Sequence, residues 1–189
     1  MINKKFIQTL RKEHRESNSE RRQIISLSNI VLHDSKRIIF ALHRDNIKKA
    51  EDSFVEVEKV INKLVNKFGW RRIYEEGSFK AGAEEYVEAK MFYFLLNGKN
   101  IGKIKDMKFS YESYLGGICD ASGEMVRRAI NEASHGNLKE VEKIKEVIND
   151  IMSELVEFDM TGYLRTKYDQ ARGNLRKIEQ INYEVKIRK

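Results

Sequence analysis

Apolar residues recur along this chain at alternating spacings of three and four, the pattern of an α-helix with one buried face. Four stripes of this kind run over residues 24–42, 54–68, 141–158 and 164–185. Alternation with a period of two, which marks half-buried strands, is missing throughout. The pattern predicts an all-α fold, a bundle of about six or seven helices joined by short connections.

Capping residues and glycines predict where the helices begin and end. Two capping boxes, Ser17-x-x-Glu20 and Asn137-x-x-Glu140, mark predicted starts. Proline is absent and Gly69 is the first glycine, so nothing before it forces a helix to break. The predicted breaks between helices are Gly69, Gly77, Gly98, Gly102 and Gly136. The connection at 97–106 is too short for a domain linker, so we expect one helical domain over positions 1–189.

The composition is that of a folded helical protein. The chain has 189 residues, of which 41% are hydrophobic and 34% charged, so it can bury a substantial core. No apolar run is long enough to predict a membrane-spanning helix. The lone cysteine, Cys119, cannot form an internal disulfide, and the N-terminus lacks the apolar core of a secretion signal. We expect an intracellular, cytoplasmic protein.

The chain carries a net charge of +7, which permits a polyanionic partner through contacts to phosphates. A well-solvated basic surface would give the same balance. The candidate cations for a nucleic-acid surface are Lys36, Arg37, Arg71, Arg72, Lys80, Arg127 and Arg128.

Two pairs of carboxylates carry the candidate chemistry. Glu85 and Glu88 are three positions apart, and Asp120 and Glu124 are four apart, so each pair shares one face of a predicted helix. Two such faces meeting across a bundle would form an acidic cluster for a divalent cation, since Mg²⁺ prefers carboxylate oxygens. A metal held there could activate water against a phosphodiester.

Simpler interpretations remain open for these residues. In a chain this rich in Glu, such spacings arise by chance, and Glu124 with Arg128 would form an ordinary surface pair. The four histidines, His14, His33, His43 and His135, have no zinc-binding spacing and are given no catalytic role. Cys119 is interpreted as a buried small side chain.

Several segments resemble the translin and translin-associated factor X family, over nearly the whole chain. They are RRQIISLSNIVLHDSKRIIFALHR (21–44), FGWRRIYEEG (68–77), YLGGICDASGEMVRRAI (114–130) and YLRTKYDQARGNLRKIEQINYEVKIR (163–188). The catalytic branch of this family carries Q-E-x-x-E-A and D-x-x-G-E-x-x-R, and this chain has EEYVEA and DASGEMVR. Glu84 stands where the family has Gln, and LRTKYD in the last segment resembles the translin branch. The chain looks like an archaeal-type single-subunit member.

The resemblance implies a translin-like helical protomer that assembles into a hollow homo-octamer. It implies a Mg²⁺-dependent endoribonuclease, with Mn²⁺ as the alternative ion, acting on single-stranded or loosely structured RNA. Glu85, Glu88, Asp120 and Glu124 would hold the metal and carry catalysis. Arg71, Arg72, Lys80 and Arg127 would approach the phosphates.

Two other functions compete with this one. A catalytically silent translin-like shell would bind single-stranded RNA or DNA through its basic residues, with the acids incidental. A structural bundle would use its stripes to pack against a partner chain and leave the acid spacings to chance.

Overall fold

The computed structural model describes residues 2–187, which form six α-helices and no strand. The helices are α1 (Lys4–His43), α2 (Ile47–Ile73), α3 (Gly77–Leu96), α4 (Tyr111–Ser134), α5 (Leu138–Leu155) and α6 (Gly162–Ile187). The all-α prediction is confirmed, with six helices in the described part. Three positions of the predicted 1–189 domain, Met1, Arg188 and Lys189, lie outside it, and Arg188 also ends the resembling segment 163–188.

The predicted helix ends are confirmed in part. α1 begins after Asn3 and continues unbroken through Ser17, so the start predicted there is wrong, because no residue nearby stops the preceding turns. α5 does begin after Asn137, but the Asn137 side chain donates to Glu132 at 2.6 Å and does not cap α5. The pattern missed the break between α1 and α2, where Asp45 has a φ of 55°.

Gly69, predicted to separate two helices, instead kinks one. Its φ of 77° and ψ of 153° interrupt α2 locally, and the helix resumes at once with Trp70. Glycine suits this position because a side chain is strained at such a φ. The kink turns the last residues of α2, including Arg71 and Arg72, relative to the rest of the helix.

The helices pack mainly against their neighbours along the chain. α1 packs on α2 and α3, α3 packs on α4, and α4, α5 and α6 pack together. The predicted stripes supply much of the core, for example Ile38, Ile61 and Ile148, which are fully buried. α1 contributes buried residues only from Ile24 onward, and the residues before it are nearly all exposed. Within the described chain, none of the helices combines the length and apolar character needed to cross a membrane.

α3 and α4 approach each other closely at Gly117. A Cβ atom added to this glycine would lie 2.7 Å from Val87 Cγ1 and 2.8 Å from the backbone nitrogen of Glu88. Both distances are shorter than normal contacts between such atoms, so the two helices can be this close only because residue 117 has no side chain. The contact brings α4 against the part of α3 that carries the predicted acids.

Candidate functional site

The four predicted acids lie on the facing sides of α3 and α4, and we call them the acidic cluster: Glu85, Glu88, Asp120 and Glu124. Glu88 is buried, with 8% of its surface exposed, and the other three are partly buried. The helix spacing that predicted each pair therefore corresponds to real proximity, and the Gly117 contact joins the two pairs. Asp120 itself is only partly exposed.

The pKa values show that these carboxylates act on one another. Burial, followed by the charges of Glu85, Asp120 and Glu124, raises the pKa of Glu88 to about 9. Burial also raises the pKa of Glu85, with Asp120 and Glu124 adding to the effect and Lys36 opposing it at 3.8 Å. The acids of α4 are therefore close enough to raise the pKa values of those of α3, in addition to the larger effect of burial.

Lys167 of α6 lies against the acidic cluster. Its ammonium donates to Asp120 and lies 2.9 Å from Glu84 Oε1, and Glu84 also accepts from the Tyr163 hydroxyl at 2.5 Å. Although burial alone would lower it, these hydrogen bonds raise the pKa of Lys167, which stays charged. Burial raises the pKa of Asp120 and the contact with Lys167 opposes that rise. The sequence analysis did not single out Lys167, because it lies far along the chain from Asp120 and on another helix.

His43, which the sequence analysis gave no catalytic role, contacts the cluster directly. Its Nε2 lies 2.5 Å from Glu124 Oε2, and since a carboxylate only accepts, Nε2 carries the proton and donates. The ring packs on Phe92 with centroids 4.9 Å apart, and Nδ1 is buried without a hydrogen-bond partner. Burial would raise the pKa of Glu124, but His43 and then Arg127 hold it below its ordinary value. His43 thus keeps Glu124 ionised and fixes its direction.

As the side chains lie, no three His, Cys, Asp or Glu residues in 2–187 are arranged to hold a metal ion. The donor chemistry nevertheless suits a hard divalent cation, because all four groups offer carboxylate oxygens and repel one another. Asp120 and Glu124 are held by Lys167 and His43. A cation joining them would oppose both the burial and the smaller mutual repulsion that raise the pKa of Glu88.

The four predicted phosphate-binding residues lie in different settings. Arg127 is exposed beside the cluster, 3.6 Å from Glu124, and Lys80 is exposed on α3. Arg71 is exposed beyond the kink of α2. Arg72 is less available, because it pairs with Glu76 at 3.0 Å and also contacts Glu75 and, on α1, Glu20.

Arg128, the alternative partner suggested for Glu124, lies elsewhere. It pairs with Asp45 at 2.7 Å and with Glu132 at 2.8 Å. The ordinary surface pair between Glu124 and Arg128 is therefore wrong, and the cation near Glu124 on its own helix is Arg127.

A cleft of about 1060 Å³ opens beside the acidic cluster. The first residues of α3 and α4 and the connection from α5 to α6 line it, and Glu85 and Asp120 form part of its wall. Lys80 also lines it, so this predicted cation lies next to the acids. Three exposed aromatic residues border the same cleft, Tyr111, Phe158 and Tyr163.

Replacing Glu88 by Gln is expected to stabilise the metal-free protein at alkaline pH. The folded protein holds the Glu88 proton up to about pH 9, whereas the unfolded chain releases it near 4.5, so the free energy of unfolding falls as pH rises between these values. Gln removes this loss, and we expect a gain of roughly 1–3 kcal/mol at about pH 9 and none at about pH 4. Urea denaturation in EDTA measures the free energy of unfolding, with the exposed substitution Glu154→Gln as the control. Equal gains at both pH values would contradict the claim that folded Glu88 keeps its proton.

Comparison with known proteins identifies relatives over most of the chain. The model of the Translin family matches residues 19–189. An uncharacterized protein of Methanocaldococcus jannaschii is 28% identical over 84% of this chain and 73% of its own length. The translin-associated protein X homolog of Schizosaccharomyces pombe is 25% identical over 92% of this chain and 84% of its own. Translin of Gallus gallus is 24% identical over 75% of this chain and 69% of its own length.

Solved structures share the fold. The crystal structure of AfC3PO superposes with a TM-score of 0.88 at 24% identity, covering 97% of this chain and 98% of that one. The structure of AfC3PO in complex with duplex RNA superposes with a TM-score of 0.85 at 23% identity, covering 97% of each chain. The crystal structure of apo-NeC3PO superposes with a TM-score of 0.86 at 21% identity, covering 98% of each chain. These likenesses confirm the translin-like helical fold.

Proposed function

Because the chain belongs to the Translin family, we propose that it is a metal-dependent endoribonuclease acting on single-stranded or loosely structured RNA. The observation that carries this proposal is the acidic cluster, in which α3 and α4 bring four carboxylates close enough to act on one another and bury one of them, Glu88. A chance spacing on a solvated face would not bury Glu88 or join both pairs. RNA as the partner is supported by the related AfC3PO, solved in complex with duplex RNA.

In this proposal Glu85, Glu88, Asp120 and Glu124 hold Mg²⁺ or Mn²⁺, which when bound supplies an activated water and offsets phosphate charge. His43 restrains the Glu124 carboxylate through its hydrogen bond, as a partner of a metal ligand would. Lys80 and Arg127 lie exposed at the edges of the site, where they attract the phosphate backbone. Lys167 already contacts Glu84 as well as Asp120, so its ammonium would keep a carboxylate partner if Asp120 held the cation.

We further propose that the protomers form a hollow homo-octamer, with the acidic clusters facing the interior. Support comes from apolar side chains that the protomer leaves exposed, Phe6 and Leu10 on α1 and Tyr183 and Ile187 on α6. Such residues are commonly covered by other copies. The cytoplasmic location rests on the sequence arguments alone.

A second function, a silent shell that binds single-stranded RNA or DNA, is favoured by one specific observation. Lys167 donates to Asp120, and Glu84, an acid where the family has Gln, holds the other side of its ammonium. An internal cation at this point partly replaces the charge that a metal would supply. In that function the acids are structural and the basic residues bind the nucleic acid.

Removing metal is expected to stop the reaction without releasing the RNA. The purified protein should cleave an end-labelled single-stranded RNA in Mg²⁺ or Mn²⁺, lose cleavage in EDTA and recover it when Mg²⁺ is added in excess, because the carboxylates alone do not activate water. A gel follows cleavage, and a filter-binding assay of the same samples follows retention of the RNA. Retention without cleavage in any metal would establish the silent shell instead.

A further inference from the structure

We propose that the cleft beside the acidic cluster is a stacking site for unpaired RNA bases, with Tyr111, Phe158 and Tyr163 as its ring surfaces. This inference rests on the proposed function, since it concerns how the same RNA is held. The cleft volume of about 1060 Å³ lies at the upper end of the roughly 300–1000 Å³ of ligand pockets, which is room for at least one nucleotide base. It would give the protein a preference for RNA whose bases are free.

The three rings are unusually accessible for aromatic side chains. Tyr111 is 69% exposed, Tyr163 60% and Phe158 51%, although all three border one concave surface. They come from the start of α4, the start of α6 and the connection between α5 and α6. Single exposed aromatic residues are normal on a protein surface, but three around one cleft form a shared surface that water solvates poorly.

Tyr163 is held in place before any ligand arrives. Its hydroxyl donates to Glu84 at 2.5 Å, and the Lys167 ammonium lies 5.3 Å from the centre of its ring. These contacts fix the position of the ring while most of its surface stays accessible. A ring fixed in this way loses little conformational freedom when a base stacks on it, which favours binding.

The charge of the cleft favours bases over phosphates. Two lysines line it, Lys80 and Lys167, against five carboxylates: Glu84, Glu85, Glu112, Asp120 and Asp159. Away from a metal ion, such a surface repels phosphate groups but tolerates a neutral aromatic ring. The carboxylates also accept hydrogen bonds from exocyclic amino groups of bases. The RNA backbone would therefore follow the outer edge of the cleft and turn its bases inward.

A second copy of the chain is a weaker candidate for covering these rings. A protein segment in the cleft would have to bury acids such as Glu112 and Asp159, both of which are exposed and line it. Buried charges need partners, so this occupant would have to be basic as well as apolar. The exposed apolar residues of α1 and of the end of α6 lie outside the cleft and suit contacts between copies without that cost.

The test measures binding of a fluorescent single-stranded RNA of about ten nucleotides by anisotropy, in EDTA so that no cleavage occurs. We expect Tyr111→Ala and Phe158→Ala each to weaken binding roughly tenfold, because stacking one base on a ring contributes about that factor. Tyr111→Phe keeps the ring and should bind like the wild type. Phe40→Ala, which removes a ring about as exposed as that of Phe158 but outside the cleft, is the matched control.

An RNA of the same length with abasic riboses separates stacking from other effects. The wild type should bind it at least about a hundredfold more weakly, because the bases that stack on both tested rings are missing, and neither alanine variant should lose anything further on this RNA. Equal losses by the variants on intact and abasic RNA would overturn the inference, as would unchanged binding of intact RNA. A changed mass of either variant in solution would assign the rings to contacts between copies.

The proposed function is tested in the same preparation with Mg²⁺. Cleavage by the wild type together with unchanged RNA binding by the ring variants would reject the stacking site and still support the proposed endoribonuclease activity. A wild type that neither binds nor cleaves RNA would reject both.

Discussion

Replacing Asp120 by Asn is expected to reduce RNA cleavage at least about a thousandfold, which corresponds to about 4 kcal/mol of lost transition-state stabilisation. Asn keeps the size of the side chain but removes the negative charge with which Asp120 would hold a metal together with the acids of α3. The metal would lose a ligand at the centre of the cluster, and the remaining three acids would hold it less tightly. End-labelled RNA on a denaturing gel under excess Mg²⁺ measures the loss.

Two controls give this result its meaning. Asp150→Asn, an exposed change on α5, should cleave like the wild type, which would show that the loss is specific to Asp120 and does not follow from any change of Asp to Asn. RNA binding by Asp120→Asn should remain, since the substitution adds no negative charge near Lys80 or Arg127. Full cleavage by Asp120→Asn would place the chemistry elsewhere. Loss of binding together with cleavage would point to a role for Asp120 in holding the helices together.

Replacing Gly117 by Ala is expected to lower the free energy of unfolding by about 2–3 kcal/mol and to impair cleavage as well. The added methyl group would lie 2.8 Å from the backbone nitrogen of Glu88, and a backbone atom cannot turn aside as a flexible side chain can. α3 and α4 would have to separate, carrying Glu88 away from Asp120 and Glu124. Chemical denaturation monitored by circular dichroism measures the stability, and the gel assay measures cleavage.

Gly173→Ala on α6 is the matched control, because a Cβ atom there would have no neighbour within 4 Å. Alanine favours the helix over glycine, so this variant should gain roughly 0.5–1 kcal/mol. If Gly117→Ala were as stable as Gly173→Ala, the close approach of α3 and α4 would not be what the glycine serves.

The fold was largely predictable because helix periodicity is a local property of the sequence. The stripes through Ile38, Ile61 and Ile148 are core, as their three and four spacings indicated. The exceptions are also local. Ser17 and Glu20 have the spacing of a capping box, but preceding residues with good helix propensity carry α1 through them. Asp45 adopts a left-handed conformation, but no glycine or proline in the sequence marks this position as a helix end, so the end of α1 was missed.

The candidate site was predictable only where it depends on spacing within a helix. Glu85 with Glu88 and Asp120 with Glu124 share faces for that reason. His43 and Lys167 reach these acids from α1 and α6, and the sequence holds no local sign of contacts over such separations. The one available signal for His43 was its position shortly after the buried Leu42, at the end of a stripe. The cleft depends on four separate chain segments and could not be predicted at all.

The order in which the helices pack has a consequence for how the protein folds. Each main contact joins helices that are adjacent or separated by a single helix along the chain, so no distant segments have to find each other first. Domains dominated by local contacts fold quickly, because little loop entropy is lost before native contacts form. α3 and α4 can therefore bring the acids together as a local helical pair. Lys167 reaches Asp120 only once α6 docks, so until then the assembling chain carries the mutual repulsion of these carboxylates with one cation fewer to offset it.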